Sequence, residues 1–157
     1  AAFEVNIVTQ NVDDLHERAG SKHVLHLHGE LRKARSTTHP NLVYTRDNDI
    51  KLGDTCEKGG QLRPHIVWFG EMVPMLEPAA ALVSDADIVV IIGTSMQVYP
   101  AAGLVGYALP GAPIYYIDPN PAINYELSKM KNLKVLPEMA TTGVRKVVDD
   151  LLALARI

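Results

Sequence analysis

The stretch ADIVVIIGT, residues 86–94, constrains this chain more than any other. From Ile88 to Ile92 every residue is apolar, with no alternation between a wet and a dry face. A strand of that kind has to be covered on both sides, which is the situation inside a parallel sheet flanked by helices. The glycine that follows ends the run at a turn.

The segments around it keep to that scheme. Residues 3–9, FEVNIVT, alternate and read as a strand, and QNVDDLHERAG offers Asn11 or Asp13 as a cap for a short helix that Gly20 closes. Residues 23–31 read as a second strand. PMLEPAAALVSDA (74–86) has helical spacing, a helix is expected from Pro100 to Ala108, and PIYYID (113–118) and KVLP supply further strands. The closing segment TTGVRKVVDDLLALA aligns Val144, Val148, Leu151 and Ala155 in one apolar stripe. Strands alternating with helices predict an α/β fold with a doubly wound parallel sheet. Residues 32–62 break the pattern, being polar and rich in turn formers. They are expected to form an inserted loop or small subdomain with short strands at most.

Bulk properties exclude several functions. With 157 residues, 47% hydrophobic and 21% charged, the chain suits one compact domain, and a net charge of −3 leaves no nucleic-acid footprint. No apolar run reaches the roughly 18 residues of a membrane helix, and AAFEVNIV lacks the pattern of a signal peptide. The lone Cys56 rules out an intrachain disulfide framework and points to a reducing compartment, the cytoplasm. The chain opens without Met, directly in a strand-like run, and so reads as starting inside a domain.

Ligands of doubly wound sheets bind beyond the carboxyl ends of the strands. Each predicted strand here ends in a polar cluster: Thr9-Gln10-Asn11, His28-Gly29-Glu30, Gly93-Thr94-Ser95 and Asp118-Pro119-Asn120. Polar turns follow most strands, so no single cluster identifies a site; four on one edge would line one crevice. Gly93 permits close backbone approach, and the hydroxyls of Thr94 and Ser95 could meet a phosphate, although no GxGxxG is present. In HVLHLHGELR, His26 and His28 share a strand face. That spacing serves paired metal ligands, hydrogen-bonded interior residues, or a general base. The flanking segments hold no CxxC or HExxH pattern to complete a metal site. His23, His16 and His65 are expected at surfaces or strand ends with ordinary hydrogen bonds.

Taken in order, Thr9-Gln10-Asn11-Val12-Asp13 with Leu15-His16, His28-Gly29-Glu30, Val67-Trp68-Phe69-Gly70-Glu71, Gly93-Thr94-Ser95 and Val98-Tyr99-Pro100-Ala101-Ala102 resemble the motifs of the sirtuins. These are NAD-dependent protein lysine deacylases, and LRPHIVWFGE is most similar to the bacterial branch that includes desuccinylase-type members. The resemblance implies a Rossmann-like NAD domain (1–31 and 64–157) with a small inserted module (32–63), and acyl-lysine protein substrates. It implies products nicotinamide, 2′-O-acyl-ADP-ribose and free lysine. By position His28 is similar to the family's base, with Asn11 holding a ribose or water contact. Asp13 would bind the nicotinamide amide, and Gln10 the ribose hydroxyls. Gly93, Thr94 and Ser95 would meet phosphates and adenosine ribose, Asp118 and Asn120 the adenosine ribose, and Ala140 the adenine. Val67, Trp68, Phe69 and Gly70 would hold the substrate lysine as an added strand.

Three departures accompany the likeness. The family's zinc thiolates are reduced here to Cys56, which predicts a zinc-free module with no metal ligands. Asp118 stands where relatives often carry Asn. The N-terminal part of the family domain, with its glycine-rich loop, is expected to be missing. Rival readings are an NAD hydrolase or ADP-ribosyltransferase, a non-catalytic NAD-sensing or scaffolding remnant, and a metal-dependent hydrolase built on His26 and His28.

Overall fold

The computed structural model describes residues 2–155. The chain runs β1 (Ile7–Thr9), α1 (Leu15–Arg18), β2 (Val24–His26), β3 (Gly29–Ser36), β4 (Val43–Thr45), β5 (Leu62–Ile66), α2 (Leu76–Ser84), β6 (Val89–Ile92), a 3₁₀ helix (Ala101–Tyr107), β7 (Ile114–Ile117), α3 (Tyr125–Ser128), β8 (Leu133–Leu136) and α4 (Ala140–Leu154). It divides into two compact units, Val5–Met75 and the remainder from Leu76 onward together with residues 2–4.

The unit from Leu76 is built on three parallel strands in the order β6-β7-β8. The strand covered on both faces is β7, all four of whose residues are buried. One face, with Ile114 and Tyr116, meets Met96, Ala102, Val105 and Leu127; the other, with Tyr115 and Ile117, meets Val147. β6 therefore differs from its expected burial. Val89 and Ile91 pack into the first cluster and Ile88 into the second, but Val90 and Ile92 are 38% and 44% exposed. β6 is an edge strand of its unit, and α4 lies over β7, the central strand.

The stripe on α4 is also rotated from its expected position. Gly143 and Val147 are buried, with Val144 and Leu151 beside them, while Val148 is exposed. The reason is a close approach: a Cβ on Gly143 would stand 2.5 Å from Ile117 Cγ2, so the glycine sets which side of the helix meets β7. The helix expected over 100–108 is 3₁₀ in form, with Ala102, Leu104 and Val105 buried, the last two between Gly103 and Gly106.

In the Val5–Met75 unit, β1 and β2 form a parallel pair and β4-β3-β5 an antiparallel sheet. The single strand expected over 23–31 is two: β2 ends at His26, and β3 begins at Gly29 and runs five residues into the segment 32–62 expected to hold short strands at most, its register irregular between Glu30 and Ala34. Its apolar alternation is faint because the inward residues are small: Ala34 and Ser36 are buried, and the core is Ala34, Cys56 and Leu62 ringed by Leu42, Tyr44 and Ile50. Gly20, at φ 94°, ends the turn after α1 as its sequence suggests.

Candidate active site

β1 and β2 pair in register, Ile7 with Val24 and Thr9 with His26, so their carboxyl ends coincide. Leu27 N–H continues the ladder by donating to the Thr9 carbonyl at 2.9 Å. Gln10 and Asn11 leave one strand where His28 and Gly29 leave the other.

The geometry separates the two histidines that spacing alone made alike. His28 is half-buried, and its Nδ1 lies 3.3 Å from the Gln10 carbonyl oxygen. A carbonyl can only accept, so in this contact Nδ1 carries the proton and Nε2 of the neutral ring is left with its lone pair. His26 is buried and has both nitrogens committed: Nδ1 is 3.1 Å from the Asn11 carbonyl, and Nε2 is 2.8 Å from Glu17 Oε1. Both partners accept, an arrangement that a doubly protonated imidazolium satisfies. Burial opposes that charge, but the Glu17 hydrogen bond, the Asn11 carbonyl and the Glu17 charge together raise the His26 pKa above its ordinary value. The hydrogen bond from His26 lowers that of Glu17 in return. His26 thus ties the loop after β1 to α1, and His28 retains a basic nitrogen.

Gly29 is required where it stands. Its φ is 82°, and a Cβ would lie 1.9 Å from the backbone oxygen of His65. Just beyond, Val67 N–H donates to the His28 carbonyl at 2.9 Å, which sets the Val67–Gly70 segment alongside the histidine. Trp68 to Glu71 form a turn, with Glu71 N–H donating to the Trp68 carbonyl at 3.0 Å and Gly70 at φ 86°. The Glu71 carboxylate accepts from Trp68 N–H at 3.2 Å, from Arg35 at 2.9 Å and from Arg63 at 2.8 Å. The Arg63 contact, ahead of the others, holds its pKa low. Phe69 projects from this clamped turn, 97% exposed.

Asn11 is exposed, with its N–H on Thr9 Oγ1 at 3.1 Å, and Asp13 Oδ1 accepts from Leu15 N–H at 3.1 Å. Asp13, Asp14, His26, Glu30 and Arg32 border a cavity of about 230 Å³. His65 departs from expectation: it sits within β5, half-buried, its Nδ1 has no hydrogen-bond partner among the described residues, and burial lowers its pKa.

In the other unit, Gly93 caps β6 by donating to the Ile117 carbonyl at 2.9 Å. Its φ is 59°, and no atom stands within 4 Å of where a Cβ would project. The glycine is exposed, as is Ser95, so bare backbone and a hydroxyl face open space together. That combination fits the close approach of a dinucleotide phosphate. At the end of β7, Asp118 Oδ1 accepts from Asn120 N–H at 2.8 Å, closing a tight turn. Ala140 is exposed at the start of α4.

Among the described residues, no three His, Cys, Asp or Glu side chains stand where they could share a metal ion. Cys56 is part of the apolar core and donates its thiol to Ser36 Oγ at 3.3 Å. That oxygen also accepts from the N–H groups of Thr38, at 3.3 Å, and His39, at 3.2 Å. Glu17 and the Arg35–Glu71–Arg63 clamp escaped sequence reasoning. Glu17 meets His26 nine residues on, and Glu71 meets Arg63 eight and Arg35 36 residues back, separations that no local periodicity marks.

Residues 2–100 match the Sir2 family model. An NAD-dependent protein deacylase of Helicobacter pylori (strain ATCC 700392 / 26695) is 52% identical over 153 residues, 98% of this chain and 66% of the relative. One from Bacteroides thetaiotaomicron is 49% identical over 156 residues, 96% of this chain and 65% of the relative. A solved Sir2 homologue–NAD complex superposes with a TM-score of 0.73 at 37% identity, over 97% of this chain and 58% of that one. A Sir2 structure bound to acetylated peptide gives 0.75 at 29% identity, over 93% and 63%. The chain belongs to the Sir2 family, and its parallel α/β architecture is the Rossmann-like fold of that family. It spans about two thirds of the length of the curated relatives it matches.

Proposed function

We propose that the protein is an NAD-dependent protein lysine deacylase of deacetylase or desuccinylase type. The observation that carries this reading is the state of His28: Nδ1 is committed to the Gln10 carbonyl, Nε2 is left basic, and the backbone carbonyl is bonded to Val67. A general base is thereby set beside a segment suited to an added peptide strand.

When bound, NAD supplies the electrophilic ribose carbon and nicotinamide as leaving group, and carries the acyl group away as 2′-O-acyl-ADP-ribose. His28 Nε2 takes a proton from a ribose hydroxyl. Gln10 and Asn11, the latter catalytic with His28, hold ribose hydroxyls or water, and Asp13 holds the nicotinamide amide. Gly93, Thr94 and Ser95 bind phosphates and adenosine ribose, Asp118 and Asn120 bind that ribose, and Ala140 lies against adenine. Val67, Trp68, Phe69 and Gly70 hold the acyl-lysine of a protein substrate. Support for these roles comes from bare backbone at Gly93, exposed hydroxyl at Ser95, and Phe69 presented by a clamped turn.

The NAD-binding domain is assigned to 1–31 and 64–157 and the inserted module to 32–63, zinc-free and held by the Ala34–Cys56–Leu62 core. A lone, reduced Cys56 suits the cytoplasm. Elemental analysis tests the module; one equivalent of zinc would overturn that assignment.

For the activity, the protein at its natural length is incubated with NAD and acyl-lysine peptide. Nicotinamide and deacylated peptide should form in equal amounts, with acylated ADP-ribose detected by mass spectrometry. Free ADP-ribose without peptide deacylation would instead identify an NAD hydrolase or an ADP-ribosyltransferase. His28→Ala should lower turnover by about two orders of magnitude or more with the fold retained, as loss of a general base does.

A further inference from the structure

Tyr116 is a fully buried tyrosine in the middle of β7, with 0% exposure. A buried phenol needs partners, and its hydroxyl has two, neither on its own strand. It donates to the Thr94 carbonyl at 2.8 Å and accepts from Ala122 N–H at 3.1 Å. Thr94 lies in the turn after β6, and Ala122 lies in the segment between β7 and α3. One hydroxyl therefore bridges the two loops that leave adjacent strands at their carboxyl ends.

The first of those loops needs such a fixture. Gly93 has φ 59°, and Met96, three residues on, has φ 55° without being glycine. A left-handed methionine is strained and persists only where surroundings over-determine it. Here the Met96 side chain is buried against the cluster that contains Tyr116, Ala102 and Leu127. The turn Gly93–Met96 is thus held from beneath at two points, by the Met96 side chain and by the phenol on the Thr94 carbonyl. The second loop, Pro119-Asn120-Pro121, is held by the Asp118–Asn120 contact at one end and the phenol on Ala122 at the other.

We infer that Tyr116 is a positioning residue for dinucleotide binding: through its hydroxyl it fixes the loops of Gly93–Ser95 and Asp118–Asn120 in one mutual geometry. It touches no ligand itself. This rests on the proposed cofactor role of those loops. Tyr116→Phe is the suited probe, because it keeps the ring in the core and deletes only the bridge.

The test uses Tyr116→Phe and Ser95→Ala in the natural-length enzyme, with calorimetric NAD binding, both KM values, thermal unfolding and amide hydrogen exchange. For Tyr116→Phe, Kd and KM for NAD should rise about five- to tenfold, as loss of a buried hydrogen bond between fixed groups gives. The KM for acyl-lysine peptide should stay within about twofold, and the amides of Ala122 and of residues 94–97 should exchange faster. A merely structural role would instead alter both KM values and kcat in step with a fall in Tm, and would overturn the inference. So would Ser95→Ala weakening NAD while Tyr116→Phe does not: the tether fails and the loop's cofactor role stands. If Ser95→Ala leaves NAD binding unchanged, the cofactor role itself falls and takes the inference with it. Exchange is read on folded protein, so faster exchange at Ala122 alone, with 94–97 unchanged, also counts against coupling of the loops.

Discussion

The β6-β7-β8 sheet and the β4-β3-β5 sheet solve the same problem with different interactions. The first surrounds Ile114 to Ile117 with side chains from both faces and carries no histidine. The second has a core of Ala34, Cys56 and Leu62, and its unit adds ion pairs: Arg35 and Arg63 on Glu71, Arg46 on Asp54, and Arg32 on Asp14 and Asp47. All six histidines of the chain fall between residues 16 and 65. One sheet therefore depends mainly on volume, while the unit with the candidate base depends also on charge and protonation. Chemistry needs groups that titrate, and here they lie where the apolar core is thin.

Removing volume from the first sheet should give the largest effect. Ile117→Ala empties a fully buried site under α4 and is expected to cost about 2–5 kcal/mol, measured by urea unfolding. An equal loss from Leu62→Ala would erase the contrast. Next comes Gly29→Ala. The left-handed backbone alone costs about 1–2 kcal/mol, and the obstructing atom is a backbone oxygen that cannot swing aside. Activity should fall further than stability, because the same shift displaces His28 from Gln10; activity retained at wild-type level would show that the His28 geometry tolerates the move.

The pH response sharpens the comparison further. His26 has a folded pKa above its ordinary 6.5, so its contribution is whole below that value and is lost as pH rises through the raised one. Glu17, held below its ordinary 4.5, contributes fully above that value and fades as pH falls through the lowered one. The Tm gap between wild type and His26→Gln should therefore be wider near pH 5.5 than near pH 8, to be read across a pH series at constant ionic strength. Loss of amide protection with rising pH should map to residues 5–75; equal loss across β6–β8 would contradict the division. The smallest effect is expected from Glu71→Gln. It should lower Tm slightly, and the difference should shrink as salt screens the arginine pairs, while the KM for acyl-lysine peptide rises as the Trp68–Glu71 turn loosens.

Much of this was open to reading in the chain itself. The run at 86–94, the turn glycines and the ordered motifs led to parallel α/β architecture and family, because these depend on local periodicity and on residues adjacent in sequence. The candidate positions at the strand ends also stood out, since polar clusters after apolar runs are a local signal. The ordered motifs singled out His28 as the base by resemblance, but spacing alone could not show why one of two alternating histidines keeps a basic nitrogen and the other does not. Both share the face, the spacing and the residue type; only Glu17 and the carbonyls of Asn11 and Gln10, brought across by the pairing of β1 with β2, distinguish them. The same holds for β6 and β7, whose apolar runs look alike until helix placement covers one on both faces and leaves the other half exposed. It holds too for Tyr116, a β-strand aromatic by composition and a bridge between loops by position. Sequence specified most of the elements and their order, because short-range sterics and hydrophobic pattern act within each segment. It did not mark the break between β2 and β3, the latter's inward residues being too small to signal a strand. Tertiary structure alone decided the partners, because a hydrogen bond or a buried contact depends on which distant atom the fold brings within reach.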